Sequence, residues 1–120
     1  MPKVMLIEDD ANMFSIVKMF LEFEGYEVVH GENGERIEDI LKQLHSERPD
    51  LVLLDVNLRH LNGFDILQQL RTDPALVDVR VLMASGMDMT YKSQREGANG
   101  FLLKPFMPDE LVDKIKQLID

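Results

Sequence analysis

The sequence predicts an α/β domain: a single doubly wound parallel sheet of five strands with five helices on its two faces. Three observations predict it. Short apolar runs alternate strictly with longer amphipathic ones along all 120 residues. Most of the short runs are nearly continuous in apolar side chains, as strands buried on both faces should be. The longer runs carry apolar residues at helical spacing, so each can cover part of such a sheet. Right-handed crossovers then leave few topologies.

The strands come first. Residues 3–7 (KVMLI), 51–54 (LVLL), 79–83 (VRVLM) and 100–103 (GFLL) read as strands buried on both faces. Residues 26–30 (YEVVH) are more mixed and read as an edge strand. Gly31 and Gly34 follow that run and read as an ordinary turn.

The helices lie between. Residues 11–24 carry Met13, Phe14, Ile16, Val17, Phe20, Leu21 and Phe23, a wide apolar face that predicts a well-buried helix. Asp10 before it has the chemistry of a cap. Residues 34–47 carry Ile37, Ile40, Leu41 and Leu44, the spacing of a surface helix. Residues 62–72 carry Phe64, Ile66, Leu67 and Leu70, with Asn62 placed to cap the start. Residues 108–119 carry Leu111, Val112, Ile115, Leu118 and Ile119. Pro108, Asp109 and Glu110 fill that helix's first turn, which suits the missing amide and the helix dipole. Met107 stands at its N-cap and has no side-chain acceptor for an amide. Residues 88–96 (DMTYKSQRE) offer only Met89 and Tyr91 as apolar anchors, so the fourth helix is predicted to be short or irregular, with Gly97 as its terminator.

Composition narrows the function. A 13.8 kDa chain holds one domain, here taken as residues 1–120. The absence of cysteine removes disulfides, thiol nucleophiles, thiolate zinc sites and iron–sulfur clusters together, and it fits a reducing, cytoplasmic setting. No apolar run approaches the roughly 20 residues of a membrane helix. The N-terminal MPKVMLIEDD turns acidic too soon for a secretory signal. A net charge of −9 opposes direct contact with nucleic acid or anionic lipid and suits cations or a basic partner surface.

Ligands of open parallel sheets bind beyond the carboxyl ends of the strands. At those ends stand Glu8, Asp9 and Asp10 after the first strand, Asp55 ending the third, Ser85 just after the fourth and Lys104 at the fifth. Each alone has an ordinary explanation as a cap, a first solvated residue or a surface lysine. Those explanations do not predict the coincidence of carboxylates on two inner strands with a hydroxyl and an ammonium on the next two. Crowded carboxylates cannot all stay ionised without a counter-charge. A hard divalent cation supplies one, and a nearby lysine stabilises a phosphoryl group. A carboxylate nucleophile beside Mg²⁺ and Lys is the apparatus for forming an aspartyl phosphate.

On these residues the chain resembles the receiver domain of two-component response regulators over its full length. The motifs are LIEDD with Glu8 and Asp9, LLDVNL with Asp55, MASG with Ser85 and Gly86, and LLKPF with Lys104 and Pro105. Phe101 stands three before Lys104, and Gly63 eight after Asp55. The resemblance implies the strand order 2-1-3-4-5 of the family's chemotaxis member. It implies Asp55 as phospho-acceptor, and Asp9 and Asp55 as ligands of Mg²⁺, or of Mn²⁺. Glu8 would act through water, and the backbone carbonyl of Asn57 would complete the protein ligands. Lys104 would pair with the phosphoryl oxygens, with Ser85 and Phe101 as the switch pair. The Lys104–Pro105 peptide would be cis, which would aim Lys104 inward. A histidine kinase or phosphotransfer protein would donate the phosphoryl group, and a downstream protein target or attached effector domain would read the result.

Three features depart from the family pattern. Arg59 stands where Pro is common, four after the acceptor, and His60 follows it. Ser85 and Lys104 are 19 positions apart, about three fewer than the pattern and nearly one helical turn. The loss falls in the weak fourth helix, a usual output and dimer surface. Met87 lies two after Ser85, where a side chain can shield the phosphoryl group.

Three rival readings fit the residues less well. A receiver-like scaffold that works without phosphorylation would tend to have lost Asp55, Lys104 or the acidic pair, and all are present. A Mg²⁺-dependent nucleic-acid enzyme needs a basic groove, which the charge opposes. A nucleotide-binding domain needs a glycine-rich loop after the first strand, and none is there.

Overall fold

The computed structural model describes residues 1–31 and 36–119. Gly34 and Glu35, part of the expected turn and second helix, lie outside the described residues. The order of elements is β1 (Lys3–Ile7), α1 (Ala11–Phe23), β2 (Glu27–His30), α2 (Ile37–Glu47), β3 (Leu51–Asp55), α3 (Gly63–Thr72), β4 (Arg80–Ser85), α4 (Thr90–Arg95), β5 (Gly100–Leu103) and α5 (Pro108–Ile119). The strands form one parallel sheet in the order β2-β1-β3-β4-β5, as expected.

Alternation along the strands divides the core in two. Met5, Ile7, Val52, Leu54, Val81 and Met83 point to one face, where α2 and α3 cover them with Ile40, Leu44, Phe64, Ile66, Leu67 and Leu70. Val4, Leu6, Leu51, Leu53, Leu82 and Ala84 point to the other, under Val17 and Leu21 of α1 and Leu111, Val112 and Ile115 of α5. The period of two in a strand forces this division. The mixed β2 is an edge strand, with Glu27 and His30 exposed.

Two expectations about packing need correction. First, α1 is not well buried: only Val17 and Leu21 are, while Ile16, Met19 and Phe23 are 50%, 59% and 87% exposed. A helix on a two-faced sheet buries one stripe, and α5 covers only part of the rest. Second, β4 runs two residues further than expected, so Ser85 is its last residue and does not lie two positions beyond its end.

The fourth helix is short, with six residues. Its anchors differ from those expected. Met89, just before it, packs against the core, but Tyr91 is 74% exposed and the buried residue within the helix is Ser93. Among the described residues the Ser93 hydroxyl has no hydrogen-bond partner. Contacts from α3 hold the segment instead: Lys92 Nζ lies 4.6 Å from the centre of the Phe64 ring, and Gln68 donates to the Glu96 side chain at 2.8 Å. Arg71 at the end of α3 donates to the carbonyls of Gly97, Val77 and Val79 and to Asn99 Oδ1, at 2.8, 3.1, 2.8 and 2.8 Å. Gly97 follows α4 with φ +101°, the left-handed conformation that glycine adopts freely.

Capping follows the sequence. Asp10 accepts from the amides of Asn12 and Met13, and Asn62 from that of Phe64. Before α5, Met107 offers no side-chain acceptor, but its own amide donates to Glu110 Oε1 at 3.2 Å, half of a capping box.

Candidate functional site at the carboxyl rim of the sheet

The parallel register brings the strand ends level. Ile7 lies beside Leu54, Asp55 beside Ala84, and Ser85 beside Leu103. Glu8, Asp55, Ser85 and Lys104 therefore share one rim, although Glu8 and Lys104 are 96 positions apart. The site sits between β1 and β3, from which the chain leaves in opposite directions, the place where this architecture leaves a crevice.

Lys104 organises the centre. Its ammonium is 3.1 and 3.2 Å from the two Glu8 oxygens and 3.1 Å from Asp55 Oδ2. The side chains of Glu8 and Asp55 are each only 12% exposed. Burial pushes the Glu8 carboxyl up, and the hydrogen bond and charge of Asp55 push it further, to about 7 against the attraction of Lys104. For Lys104, burial alone would lower the ammonium, but the charges of Asp55 and Glu8 outweigh it and the net direction is upward. The apolar wall that strips water from this centre includes Met13, Phe14 and Val17 of α1 and Phe106 after the Lys104–Pro105 cis peptide.

The flanking groups are also engaged. Asp55 Oδ1 accepts from the Asn57 amide at 3.3 Å, and Asn57 Nδ2 donates to the Ser85 hydroxyl at 3.3 Å. Ser85 is buried, and its Oγ also accepts from the Met87 amide at 3.2 Å, while the Met87 side chain is exposed. Asp9 accepts from the backbone amide of Arg59. Phe101 is half-buried, opposite Met83 in the register.

The structure thus brings Glu8, Asp55, Ser85, Lys104 and Asn57 into one connected cluster, with Asp9 beside it. Two links were not visible in the sequence: the Asn57 side chain on Ser85 and the Arg59 amide on Asp9. Both depend on how the β3–α3 loop folds back, and no residue pattern marks that. The donor set is hard oxygen throughout, and the crowding of Glu8 against Asp55 is what a divalent cation relieves, so the chemistry fits Mg²⁺. Among the described residues, no three His, Cys, Asp or Glu side chains converge as a metal-binding group. Among them also, no helix is long and apolar enough to cross a membrane.

Comparison with known proteins agrees with this geometry. The response regulator receiver domain family matches residues 4–116. The transcriptional regulatory protein CpxR of Escherichia coli K12 is 36% identical over 120 residues, which cover 99% of this chain and 50% of CpxR. The DNA-binding dual master transcriptional regulator RpaA of a Synechocystis strain is 31% identical over 122 residues, covering 99% of this chain and 49% of RpaA. This chain therefore spans about half the length of these relatives. The high-resolution structure of the chemotaxis response regulator CheY4 of Vibrio cholerae superposes with a TM-score of 0.86 at 26% identity, over 98% of each chain. The family match spans the sheet and its acidic rim, and the sheet order and helix count agree with the CheY4 fold: this chain belongs to the receiver domain family of two-component response regulators.

Proposed function

We propose that residues 1–120 act as one phospho-accepting receiver in which Asp55 is the acceptor. The observation that carries this reading is the Asp55 carboxylate at the end of β3, 3.1 Å from Lys104 and next to the strand that ends in Ser85. An Asp55 oxygen attacks the phosphorus, and the leaving group departs from the opposite side with the electron pair of its bond. Lys104 holds the transferred oxygens, Ser85 turns from Asn57 to hydrogen-bond the phosphoryl group, and Phe101 follows into the space it leaves. One local charge thereby biases a two-state surface.

Receiver domains of this family generally use Mg²⁺. Here Asp9, Asp55 and the Asn57 carbonyl would hold Mg²⁺ or Mn²⁺, with Glu8 acting through water. The ion would supply neutralisation of the charge that develops on transfer. The phosphoryl donor is a histidine kinase or phosphotransfer protein. A downstream protein target or an attached effector domain reads the switched face. The setting is the cytoplasm, with no direct nucleic-acid or membrane contact by this domain.

Intact mass after incubation with acetyl phosphate tests the reading, with Mg²⁺, with chelator and with Asp55→Asn. A single phosphoryl adduct that disappears in the last two samples is expected. Folded, Mg²⁺-binding protein that takes up no phosphoryl group would point instead to a phosphorylation-independent interaction scaffold.

A further inference from the structure

The loop between β3 and α3 closes on itself. The Leu58 amide donates to the Leu61 carbonyl at 3.2 Å, Asn57 and Asn62 form a bridge, and the Gly63 amide donates to the Val56 carbonyl at 2.7 Å. Arg59 and His60 are the tip of this turn, and both are exposed. The tip is not adrift. The Arg59 amide donates to the Asp9 carboxylate, and the Asn57 amide, two residues earlier, donates to Asp55. The backbone of Arg59 is therefore tied to the acidic rim at the acceptor.

The Arg59 side chain is not tied. Among the described residues its guanidinium makes no hydrogen bond or ion pair, although its own amide is held by the Asp9 carboxylate. The carboxylates of the rim already have donors: Glu8 and Asp55 share Lys104, and Asp9 takes the Arg59 amide. The charge of Lys104 is opposed by two carboxylates, and the whole chain carries −9. A divalent ion would be spent on these carboxylates, so an incoming phosphoryl dianion still meets little net positive charge at the rim, and Arg59 presents an unspent cation with a planar fork suited to phosphoryl oxygens.

We propose that Arg59 is a substrate-contacting residue for phosphoryl transfer, its guanidinium binding non-bridging oxygens of the incoming phosphoryl group. This rests on the reading of Asp55 as acceptor. In the step concerned, an Asp55 oxygen forms the new bond to phosphorus. The bond from phosphorus to the acyl oxygen of acetyl phosphate, or to the already protonated nitrogen of zwitterionic phosphoramidate, breaks, and acetate or ammonia leaves with its electron pair. Arg59 takes no proton and forms no covalent bond. Because it contacts the transferred group, its effect is the same for different leaving groups.

The test is the apparent second-order rate of phosphorylation by acetyl phosphate and by phosphoramidate, read by intact mass with saturating Mg²⁺. Arg59→Ala, Arg59→Lys and wild type are compared at low and high ionic strength. We expect Arg59→Ala to be about threefold to tenfold slower with both donors at low salt, and Arg59→Lys to recover most of the rate. The difference narrows as salt screens the exposed charge. Both variants keep the Arg59 amide and its bond to Asp9, so the thermal midpoint stays at the wild-type value.

Equal rates for wild type and Arg59→Ala at low salt overturn the proposal. So does a loss confined to acetyl phosphate, which would place the contact on the leaving group, or a loss that Lys does not recover and that tracks a lower thermal midpoint. If wild type takes no phosphoryl group from either donor, the acceptor reading itself fails and this inference falls with it.

Discussion

Lys104 Nζ lies 3.1 Å from Glu8 Oε1, a contact made across the full width of the sequence. The same ammonium is 3.1 Å from Asp55, so one cation serves two largely buried carboxylates. Burial, with the hydrogen bond and charge of Asp55 added, outweighs the attraction of that one cation, and Glu8 is pushed up accordingly.

Removing one of the two carboxylates should therefore stabilise the fold. Asp55→Asn keeps the shape and relieves the crowding of Glu8. At pH 7 in chelator we expect a gain of about 0.5–2 kcal/mol. Urea unfolding of the two proteins checks it, and a midpoint at or below wild type would contradict it.

The pH dependence has a definite sign. Glu8 titrates near 7 in the folded chain against an ordinary 4.5, so the folded state holds its proton more tightly. Its contribution to stability is complete below 4.5 and is lost as pH rises through about 7. In metal-free protein the urea midpoint should fall over that window, and in Glu8→Gln the slope should flatten. Saturating Mg²⁺ should shrink the slope, because a cation replaces the proton as counter-charge.

The strands and the level of the rim were legible in the sequence because buried parallel strands are short and continuous in apolar residues. The weak α4 was legible for the same kind of reason, since a helix without anchors cannot be long. The exposure of Ile16, Met19 and Phe23 was not, because an apolar count does not say what lies over a helix. At the site, the residue types could be read but not their connections. Whether Asn57 turns its side chain to Ser85, and whether the Arg59 amide meets Asp9, is decided by loop geometry between residues far apart in sequence.

Gly63 illustrates how tightly that loop is built. A Cβ there would run into the carbonyl oxygen of Asp55 and come within 2.9 Å of the Val56 Cα, both backbone atoms. Gly63→Ala must therefore move either α3 or the end of β3. We expect a loss of about 2 kcal/mol or more, with slower phosphorylation because the acceptor itself shifts. Denaturant unfolding together with the intact-mass assay measures both effects, and wild-type values in both would refute the account.

Ser93 offers the opposite case. Its buried hydroxyl lacks a partner among the described residues, and alanine is also the better helix former. Ser93→Ala should raise stability by about 0.5–2 kcal/mol, seen as a higher thermal midpoint. Amide exchange within residues 90–95 should slow as well.

The contacts of Arg71 have a mechanical consequence. One guanidinium joins the end of α3 to residues 77–79 before β4 and to residues 97–99 between α4 and β5. The lower end of α4 is thereby pinned at Gly97, while at its upper end the Thr90 amide and hydroxyl donate to Asp88 Oδ1. Arg71 therefore works as a cross-brace: the turn into β4 and the turn into β5 share one anchor, so neither can shift without drawing the end of α3 with it.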